Sequence, residues 1–195
     1  TFDEFQYFTA VTSIPDSAFS GNAAMTNLTI PSRVSSIHKY PFGDSTTPQK
    51  LNITVVSNNN YYSSVDGVLF NKTKNTLVGF FKGDIISDYT IPSSVHTVEN
   101  AAFCKSNVSV VRCSNALTLK DSFYSCKKLT KLDFEILNID SINGLVLCTA
   151  LTEVTFADGF TSISSNCFNG CKALNKITSN SVVAPKLRSG FWGSS

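Results

Sequence analysis

Apolar residues recur along this chain at fixed distances from a leading phenylalanine. After Phe123 they follow at offsets of 3, 6, 9 and 11 residues, as Cys, Leu, Leu and Phe. The same offsets, in whole or in part, follow Phe19, Leu145 and Phe168. Self-similarity at a fixed period is typical of a repeat protein, in which each unit buries its apolar side against its neighbours.

The second half of the unit repeats as well. The segments Ile30-Pro31-Ser32-Arg33-Val34 and Ile91-Pro92-Ser93-Ser94-Val95 match, and each continues to an apolar residue three positions on and a Phe eight positions on. The unit is 22 or 23 residues long from Phe123 and from Leu145, whereas the unit that begins at Phe103 has 20 residues. These spacings predict a stack of about seven coils over residues 1–180.

Each unit contains one short strand. Leucine and phenylalanine alternate with polar residues at Lys131-Leu132-Asp133-Phe134, which predicts a strand with one buried face. The Ile-Pro start and the Val-x-x-Ile segment supply apolar residues to the opposite wall of the coil. Strands stacked at about 4.8 Å would join these walls around one core. The predicted fold is therefore a mainly β solenoid of parallel strands, with irregular or short 3-10 turns on the convex side.

These elements resemble a known family. Leu129-Thr130-Lys131-Leu132-Asp133-Phe134 is similar to the leucine-rich-repeat strand motif, and the Ala-Phe-x-x-Cys and Ile-Pro-Ser-x-Val elements resemble its BspA-like subclass. The resemblance covers residues 7–179. It implies a leucine-rich-repeat solenoid of the kind found in surface proteins of anaerobic bacteria and of mucosal protists such as trichomonads.

One coil is longer than the others. Ile53 and Ile91 are 38 residues apart, against 23 from Ile30 to Ile53. Two β-prone runs, 61–70 and 76–81, flank a polar segment and predict a hairpin within residues 53–90. The BspA-like family often carries such an Asp-Gly-Val-Leu element. We expect it to widen the wall of the coil; the alternative is a protruding contact feature.

The ends of the repeat are expected to need covers, because terminal coils otherwise expose their core. The N-terminal aromatic residues Phe2, Phe5, Tyr7 and Phe8 are the predicted cover at one end. Residues 181–195, with Pro185, Phe191 and Trp192, lack the period and are predicted to form a C-terminal cap or tail. The missing signal-peptide layout and the weak cap together indicate a piece of a longer protein.

Composition narrows the classes of function. The chain has 195 residues, of which 42% are hydrophobic and 15% charged, with a formal net charge of +2. A packed core is therefore expected, while the charge gives no electrostatic case for binding nucleic acid. No stretch approaches the roughly 18 apolar residues that cross a bilayer, so no membrane span is expected.

Three of the six cysteines share one repeat position. Cys126, Cys148 and Cys171 each lie three residues after the leading Phe or Leu and are predicted to form a buried column of free thiols. Cys104 is placed near that position, whereas Cys113 and Cys167 fall outside it. A disulfide among the last three stays open. No spacing typical of a zinc site occurs, so no metal and no cofactor are expected.

Catalytic motifs are absent from the sequence. Phosphate-binding loops, His-Glu-x-x-His and Gly-x-Ser-x-Gly do not occur, and the two histidines, His38 and His96, occupy different repeat positions. Both are predicted to be surface residues. The chain is therefore predicted not to be an enzyme.

Four segments match the N-glycosylation sequon, at Asn27, Asn52, Asn71 and Asn107. A chain rich in Asn, Ser and Thr generates such segments by chance. If the chain is secreted, Asn71 in the hairpin turn is predicted to be the best exposed acceptor. Glycans on Asn27 or Asn52 would obstruct the binding face.

The outward-facing strand positions form the predicted binding surface, since solenoids bind through the rows that stacked strands present. These positions, the predicted concave face, are Asn27, Thr29, Asn52, Thr54, Lys131, Asp133, Glu135, Glu153, Thr155, Lys176 and Thr178. They are polar, mixed in charge and poor in the aromatic residues that dominate tight interfaces.

Two functional hypotheses fit these patterns. The first, implied by the resemblance, is a cell-surface or secreted adhesion module that contacts host or matrix proteins. The second is an intracellular, cytoplasmic scaffold for protein–protein interaction, favoured by the column of free thiols and the missing signal. In both the chain binds a protein through the predicted concave face.

Overall fold

The computed structural model describes residues 3–22, 24–38, 40–41, 51–81, 87–139, 144–160, 162–163, 166–182 and 186–187. Within these ranges the chain forms a 3-10 helix, Asp3–Tyr7, and sixteen strands. The strands are β1 Ser13–Ile14, β2 Asn27–Ile30, β3 Ser36–Ile37, β4 Asn52–Val55, β5 Tyr62–Val65, β6 Val68–Asn71, β7 Thr76–Phe80, β8 Asp88–Thr90, β9 Thr97–Val98, β10 Val110–Arg112, β11 Leu117–Leu119, β12 Lys131–Ile139, β13 Glu153–Phe156, β14 Ser162–Ile163, β15 Lys176–Ser179 and β16 Lys186–Leu187.

The strands that carry the leucine-rich motif stack in parallel and form what we term the front ladder. It comprises the pair β2–β4 and the series β8–β10–β12–β13–β15, in which β12 contributes its first half. Leu132 and Phe134 are buried, while Lys131 and Asp133 between them are partly exposed. This alternation confirms the predicted strand with one buried face.

A second set of short parallel pairs forms the back ladder. It consists of the pair β1–β3, the series β7–β9–β11 followed by the second half of β12, and the pair β14–β16. Most coils thus give one strand to each ladder, and the apolar side chains between the ladders make the core. The mainly β solenoid predicted from the spacing is confirmed.

The long coil contains three antiparallel strands, one more than a simple hairpin. β5 and β6 are joined by Asp66 and Gly67, whose φ angles of 49° and 75° are both left-handed, as a two-residue hairpin turn requires. β6 then pairs with β7. Because β7 also pairs in parallel with β9, this three-stranded meander continues the back ladder.

The middle strand of the meander is buried on both faces. Val68, Leu69 and Phe70 are each 1% exposed. Val68 and Phe70 belong to the core of the C-terminal half, whereas Leu69 belongs to a separate core with the residues of the first two coils, including Leu28 and Ile53. The meander therefore divides the interior in two. It is neither a protrusion nor a simple widening of one wall.

The leading aromatic residues stack along the solenoid. The rings of Phe80, Phe103 and Phe123 follow one another with centroids 4.8 and 4.7 Å apart and interplanar angles of 25° and 11°. This spacing is that of neighbouring strands in a sheet, so each of these three coils adds one ring to the column. Leu145 and Phe168 continue the buried positions in the next two coils.

A left-handed residue follows each leading position by two. The residues concerned are Gly21, Lys105, Ser125, Leu147 and Gly170, with φ angles of 78°, 57°, 60°, 62° and 77°. The backbone N–H groups of Lys105, Ser125 and Leu147 donate to carbonyls in the following coil, at 3.0, 2.8 and 2.8 Å. The turn is thereby fixed by hydrogen bonds between coils as well as within them.

Buried asparagine anchors the Ile-Pro-Ser-x-Val loop of the preceding coil. Asn59 is fully buried, and its Nδ2 atom donates to the carbonyls of Pro31 and Val34 at 2.7 and 3.0 Å. Its Oδ1 atom accepts the N–H groups of Tyr61 and Tyr62 at 2.7 and 2.8 Å. All four hydrogen-bonding positions of the amide are thus used. Asn115 binds the carbonyls of Ser93 and Val95 in an equivalent way.

The N-terminal cover is made mainly by one ring. Phe5 is buried and packs edge-on against Phe19 at 5.5 Å, whereas Tyr7 and Phe8 are 74% and 53% exposed. Phe2 lies outside the described residues. At the other end, β16 pairs with β14, so the back ladder reaches Leu187, beyond the point where the sequence period fades. Pro185, Phe191 and Trp192 lie outside the described residues.

Candidate binding surface

The front ladder brings predicted surface residues of the C-terminal half into register. Lys131 lies opposite Glu153, and Glu153 lies opposite Lys176. Beside them, Thr155 lies opposite both Glu135 and Thr178. An irregularity in β12 between Lys131 and Glu135 leaves Asp133 as an additional outward side chain. We call the outward side of β8, β10, β12, β13 and β15 the front face.

The predicted residues of the N-terminal half form a separate segment. Asn27 lies opposite Asn52 and Thr29 opposite Thr54, whose hydroxyl oxygens are 2.9 Å apart. The neighbour of β4 is the meander, since the Val55 N–H donates to the Ser64 hydroxyl at 3.0 Å. The sequence predicted one concave face with one row of residues per coil, whereas in the structure the meander follows β4 and separates these two rows from the front face.

The repeat spacing did not predict four residues of the front face: Asp88, Thr90, Val110 and Arg112. The sequence does contain a pattern that locates Asp88 and Thr90, because Ile91 matches Ile30 and therefore aligns β8 with β2. For Val110 and Arg112 the repeat spacing points to the wrong positions. The shortened coil after Phe103 places the buried strand residue Val111 at offset 8, whereas Leu132 stands at offset 9 from Phe123.

Arg112 is the centre of an ion-pair network on this face. Its guanidinium contacts the carboxylate of Asp88 at 3.3 Å on one side and that of Asp133 on the other. Asp133 is also 2.9 Å from the Lys131 ammonium. In the last two strands, the Lys176 ammonium is 3.1 Å from the Glu153 carboxylate. Neighbouring coils thus present charges of opposite sign to each other.

These contacts shift two pKa values. Hydrogen bonds that the Arg112 guanidinium donates to the Asp88 and Asp133 carboxylates, in that order, raise the pKa of Arg112 above its ordinary value. A hydrogen bond from Lys131, followed by one from Arg112, lowers the pKa of Asp133 against the opposing effect of desolvation. Both side chains are about 40% exposed, so water screens the pairs and they contribute little stability. They hold the side chains in a defined arrangement.

The predicted thiol column is present inside the solenoid. Cys126, Cys148 and Cys171 donate to the carbonyl oxygens of Phe103, Phe123 and Leu145 at 2.8, 3.1 and 3.0 Å. The corresponding position of the shortened coil is held by Ser106, whose hydroxyl lies 3.7 Å from the Cys126 sulfur. Cys104 lies two residues before it and is not a member of the column.

The buried thiols are poorly disposed for chemistry. None of the six cysteines forms a disulfide. Burial raises the pKa of Cys167 to about 12 and that of Cys171 to about 11, and a hydrogen bond with Cys126 together with burial raises the pKa of Cys148. Since the thiolate is the reactive form, these groups are weak nucleophiles near neutral pH. Among the described residues, no group of three or more His, Cys, Asp or Glu is placed to hold a metal ion.

The histidines and the sequon asparagines lie outside the front face. His38 and His96 are exposed beside the back ladder, in different coils. Asn71 is only partly exposed, because its Oδ1 atom accepts two backbone N–H groups of its own turn. The prediction that Asn71 is the best exposed sequon residue is wrong, since Asn52 is more exposed. Asn107 is also only partly exposed.

The family can now be assigned. The family model for the BspA type leucine rich repeat region matches residues 1–78 and 78–194, with six copies of the repeat. The chain belongs to the BspA-type leucine-rich-repeat family. The family model thus counts six repeats, one fewer than the roughly seven coils that the spacing predicts. A comparison with curated proteins gives no match for this BspA-type chain.

Three solved structures share the fold of this BspA-type chain. A leucine-rich repeat protein from Eubacterium ventriosum is 22% identical, with a TM-score of 0.51 over 78% of this chain and 48% of its own. The pneumococcal vaccine antigen PcpA is 20% identical, with a TM-score of 0.59 over 85% and 46%. A leucine rich cell surface protein from Faecalibacterium prausnitzii is 24% identical, with a TM-score of 0.56 over 88% and 52%. The chain spans about half the length of each.

Within the part of the chain that the structure describes, no helix has the length and apolar character needed to cross a bilayer. The described secondary structure is short strands and one 3-10 helix of five residues.

Proposed function

We propose that this BspA-type chain is a non-enzymatic protein-binding module that contacts its partner through the front face. The observation that carries the proposal is the in-register array of charged and hydroxyl side chains on five successive parallel strands. Repeat solenoids recognise partners through such arrays, because each coil adds one set of side chains at the spacing of the ladder.

The charge pattern of the front face suits a partner with a matching arrangement of positive and negative charges better than a partner with a large net charge. Three cations, Arg112, Lys131 and Lys176, accompany the four anions Asp88, Asp133, Glu135 and Glu153. Their sum is close to zero, so the face exerts no strong long-range attraction. Alternating signs instead require a partner with the complementary order of charges, which favours selectivity over raw affinity.

We place this activity at the cell surface or outside the cell, with a host or matrix protein as the partner. Support comes from the names of two proteins with similar structures, one called a leucine rich cell surface protein and the other a pneumococcal vaccine antigen. The polar, mixed front face is consistent with contact to an extended protein surface.

A second candidate is an intracellular scaffold that binds a cytoplasmic protein. The observation that favours it is that none of the six cysteines forms a disulfide, as is usual in reducing compartments. Labelling of intact source cells with an impermeant biotin reagent separates the two. Labelled chain supports the surface location, and label that appears only after lysis supports the scaffold.

The binding face is tested with a triple charge reversal, Lys131→Glu, Asp133→Lys and Glu153→Lys, which changes the net charge by +2. Purified collagen, laminin and fibronectin, and a host-cell lysate, are the immobilised probes. Any binding by the native chain should weaken at least about tenfold, because like charges brought together across an interface cost several kcal/mol.

The matched control is Glu4→Lys, which also changes the net charge by +2 at an exposed position in the N-terminal 3-10 helix. It should bind like the native chain. If the triple variant binds as tightly as this control, the front face is not the contact surface. If the control loses as much affinity as the triple variant, the effect is one of net charge and the proposal fails.

A further inference from the structure

A cleft opens where the back ladder is interrupted. β3 pairs with β1, and β7 pairs with β6 and β9, so β3 and β7 are not joined to each other. Between them lies a cavity of about 370 Å³. A cavity of this size holds about a dozen waters at ~30 Å³ each, or roughly the twelve heavy atoms of one hexose. The front face does not contribute to it.

The floor of the cleft is apolar and includes a fixed aromatic ring. Ile37, Val78, Phe81 and Tyr62 line it. The Tyr62 hydroxyl accepts the Ile37 N–H at 3.1 Å and donates to the Ser35 carbonyl at 3.4 Å. These two hydrogen bonds hold the half-buried ring in place before any ligand arrives. Preorganised aromatic surface of this kind suits a flat ligand with an apolar side.

The rim of the cleft is polar, and the charge of the Glu99 carboxylate on it is balanced by a neighbouring ammonium. The Glu99 carboxylate is 2.7 Å from the Lys120 ammonium, which balances it. Asn100 accepts the Asp121 N–H through Oδ1 at 3.4 Å, and within the described ranges its Nδ2 atom has no hydrogen-bond partner. A donor and an acceptor thus stand side by side above the apolar floor. Asn71, Thr76 and His38 complete the rim.

The backbone groups around the cleft are poorly placed to bind a peptide as an added strand. Strand addition needs a free sheet edge with unpaired N–H and C=O groups. On β3 and the residue before it, the Ile37 N–H and the Ser35 carbonyl are already used by the Tyr62 hydroxyl. β7 is paired along both edges. Recognition in this cleft therefore falls to side chains.

We propose that the cleft binds one neutral sugar unit. The apolar face of a pyranose ring would rest on Tyr62 and Phe81, and its hydroxyls would exchange hydrogen bonds with the Asn100 amide and the Glu99 carboxylate. A neutral ligand with an apolar face and both donors and acceptors on its edge matches the apolar side chains, the Asn100 donor and the Glu99 acceptor that line the cavity. The site is independent of the protein-binding role of the front face.

The test is saturation-transfer NMR and titration of the full chain with D-glucose, D-galactose, D-mannose and N-acetyl-D-glucosamine. At least one sugar should bind with a dissociation constant on the order of 1 mM, as expected for about twelve heavy atoms at modest efficiency. Asn100→Ala should weaken that binding at least about fivefold by removing the free donor. Asn52→Ala removes an exposed amide on the front ladder, outside the cleft, and should leave sugar binding unchanged.

Glu99→Gln is the second variant, because it keeps the shape of the side chain if Asn100→Ala fails to fold. It should weaken binding by replacing one acceptor oxygen with a donor, while the melting temperature reports the folded state. The proposal is overturned if none of the four sugars binds when present in large excess. It is also overturned if both cleft variants bind like the native chain, or if a neutral N-acetylated dipeptide amide displaces the sugar.

Discussion

The Sγ atom of Cys148 donates a hydrogen bond to the carbonyl oxygen of Phe123, 3.1 Å away in the preceding coil. The same bond recurs from Cys126 and from Cys171 to the leading residue of the coil before each. The thiols are therefore donors that tie neighbouring turns together. The sequence predicted their column, but it described them only as small buried hydrophobes.

The first prediction concerns Cys148→Ala and Cys148→Ser. The alanine variant removes one of the two donors to the Phe123 carbonyl and leaves only the Cys126 N–H, at 3.2 Å, which should lower the free energy of unfolding by about 1 kcal/mol. The serine variant retains a donor and should lose less, as Ser106 already occupies the same position in another coil. Urea denaturation of both variants measures the difference. Equal losses would show that the thiol contributes packing alone.

Asn59 gives the second prediction. Asn59→Ala removes an amide that makes four hydrogen bonds in a fully buried site. The Val34 carbonyl and the N–H groups of Tyr61 and Tyr62 lose these bonds, while the Pro31 carbonyl keeps only the Val34 N–H. The free energy of unfolding should fall by about 3 kcal/mol or more. The neighbouring Asn58 is exposed, so Asn58→Ala should change stability by less than about 0.5 kcal/mol. Similar losses in both variants would contradict the anchoring role.

The third prediction tests the left-handed turn with opposite substitutions at equivalent positions. Ser125 has a φ of 60°, so Ser125→Gly should relieve strain and raise stability by up to about 1 kcal/mol. Gly170 has a φ of 77°, and a Cβ added there would stand 2.7 Å from Cδ2 of Leu147. Gly170→Ala should therefore lower the melting temperature. A higher melting temperature for Gly170→Ala together with a lower one for Ser125→Gly would refute the shared geometry.

The fourth prediction concerns acid sensitivity through Asp133. Its pKa lies below the ordinary 3.8, because Lys131 and Arg112 hydrogen-bond its carboxylate. A folded-state pKa below the unfolded value means that the ionised carboxylate stabilises the fold at pH values above about 4. That contribution disappears as the pH falls through the folded-state pKa.

Asp133→Asn should remove this part of the pH dependence. Denaturant midpoints measured between neutral pH and pH 3 for the native chain and the variant should therefore converge on acidification. Because the pair is exposed, high salt should reduce the difference at neutral pH. Parallel curves at both salt concentrations would exclude Asp133 as a contributor.

The sequence predicted the repeating features because they depend on contacts between equivalent residues. A coil stacked on a copy of itself places each apolar residue beside its counterpart one period away. The offsets from Phe123 and Phe168 therefore specify the core, the aromatic column and the thiol column together. The alternation at Lys131-Leu132-Asp133-Phe134 likewise fixes which side chains face solvent, since strand side chains alternate across the sheet.

The features that break the repeat could not be read in this way. The position of Arg112 on the front face follows from a shortened coil, where the offset from Phe103 changes by one residue. The fourfold hydrogen bonding of Asn59 joins residues 25 and 28 positions apart whose spacing carries no period. Each depends on a contact that is formed once and has no second copy to reveal it.

The amino-acid pattern is thus sufficient to predict a mainly β solenoid and the register of its regular coils, because stacking identical units turns a local pattern into a three-dimensional one. That the meander buries both of its faces and separates two cores is visible only in the folded chain. Only there did the break between β3 and β7 leave a cleft. These outcomes depend on how Leu69 and Tyr62 pack against distant coils, and side-chain packing between non-equivalent segments leaves no periodic signal in a single chain.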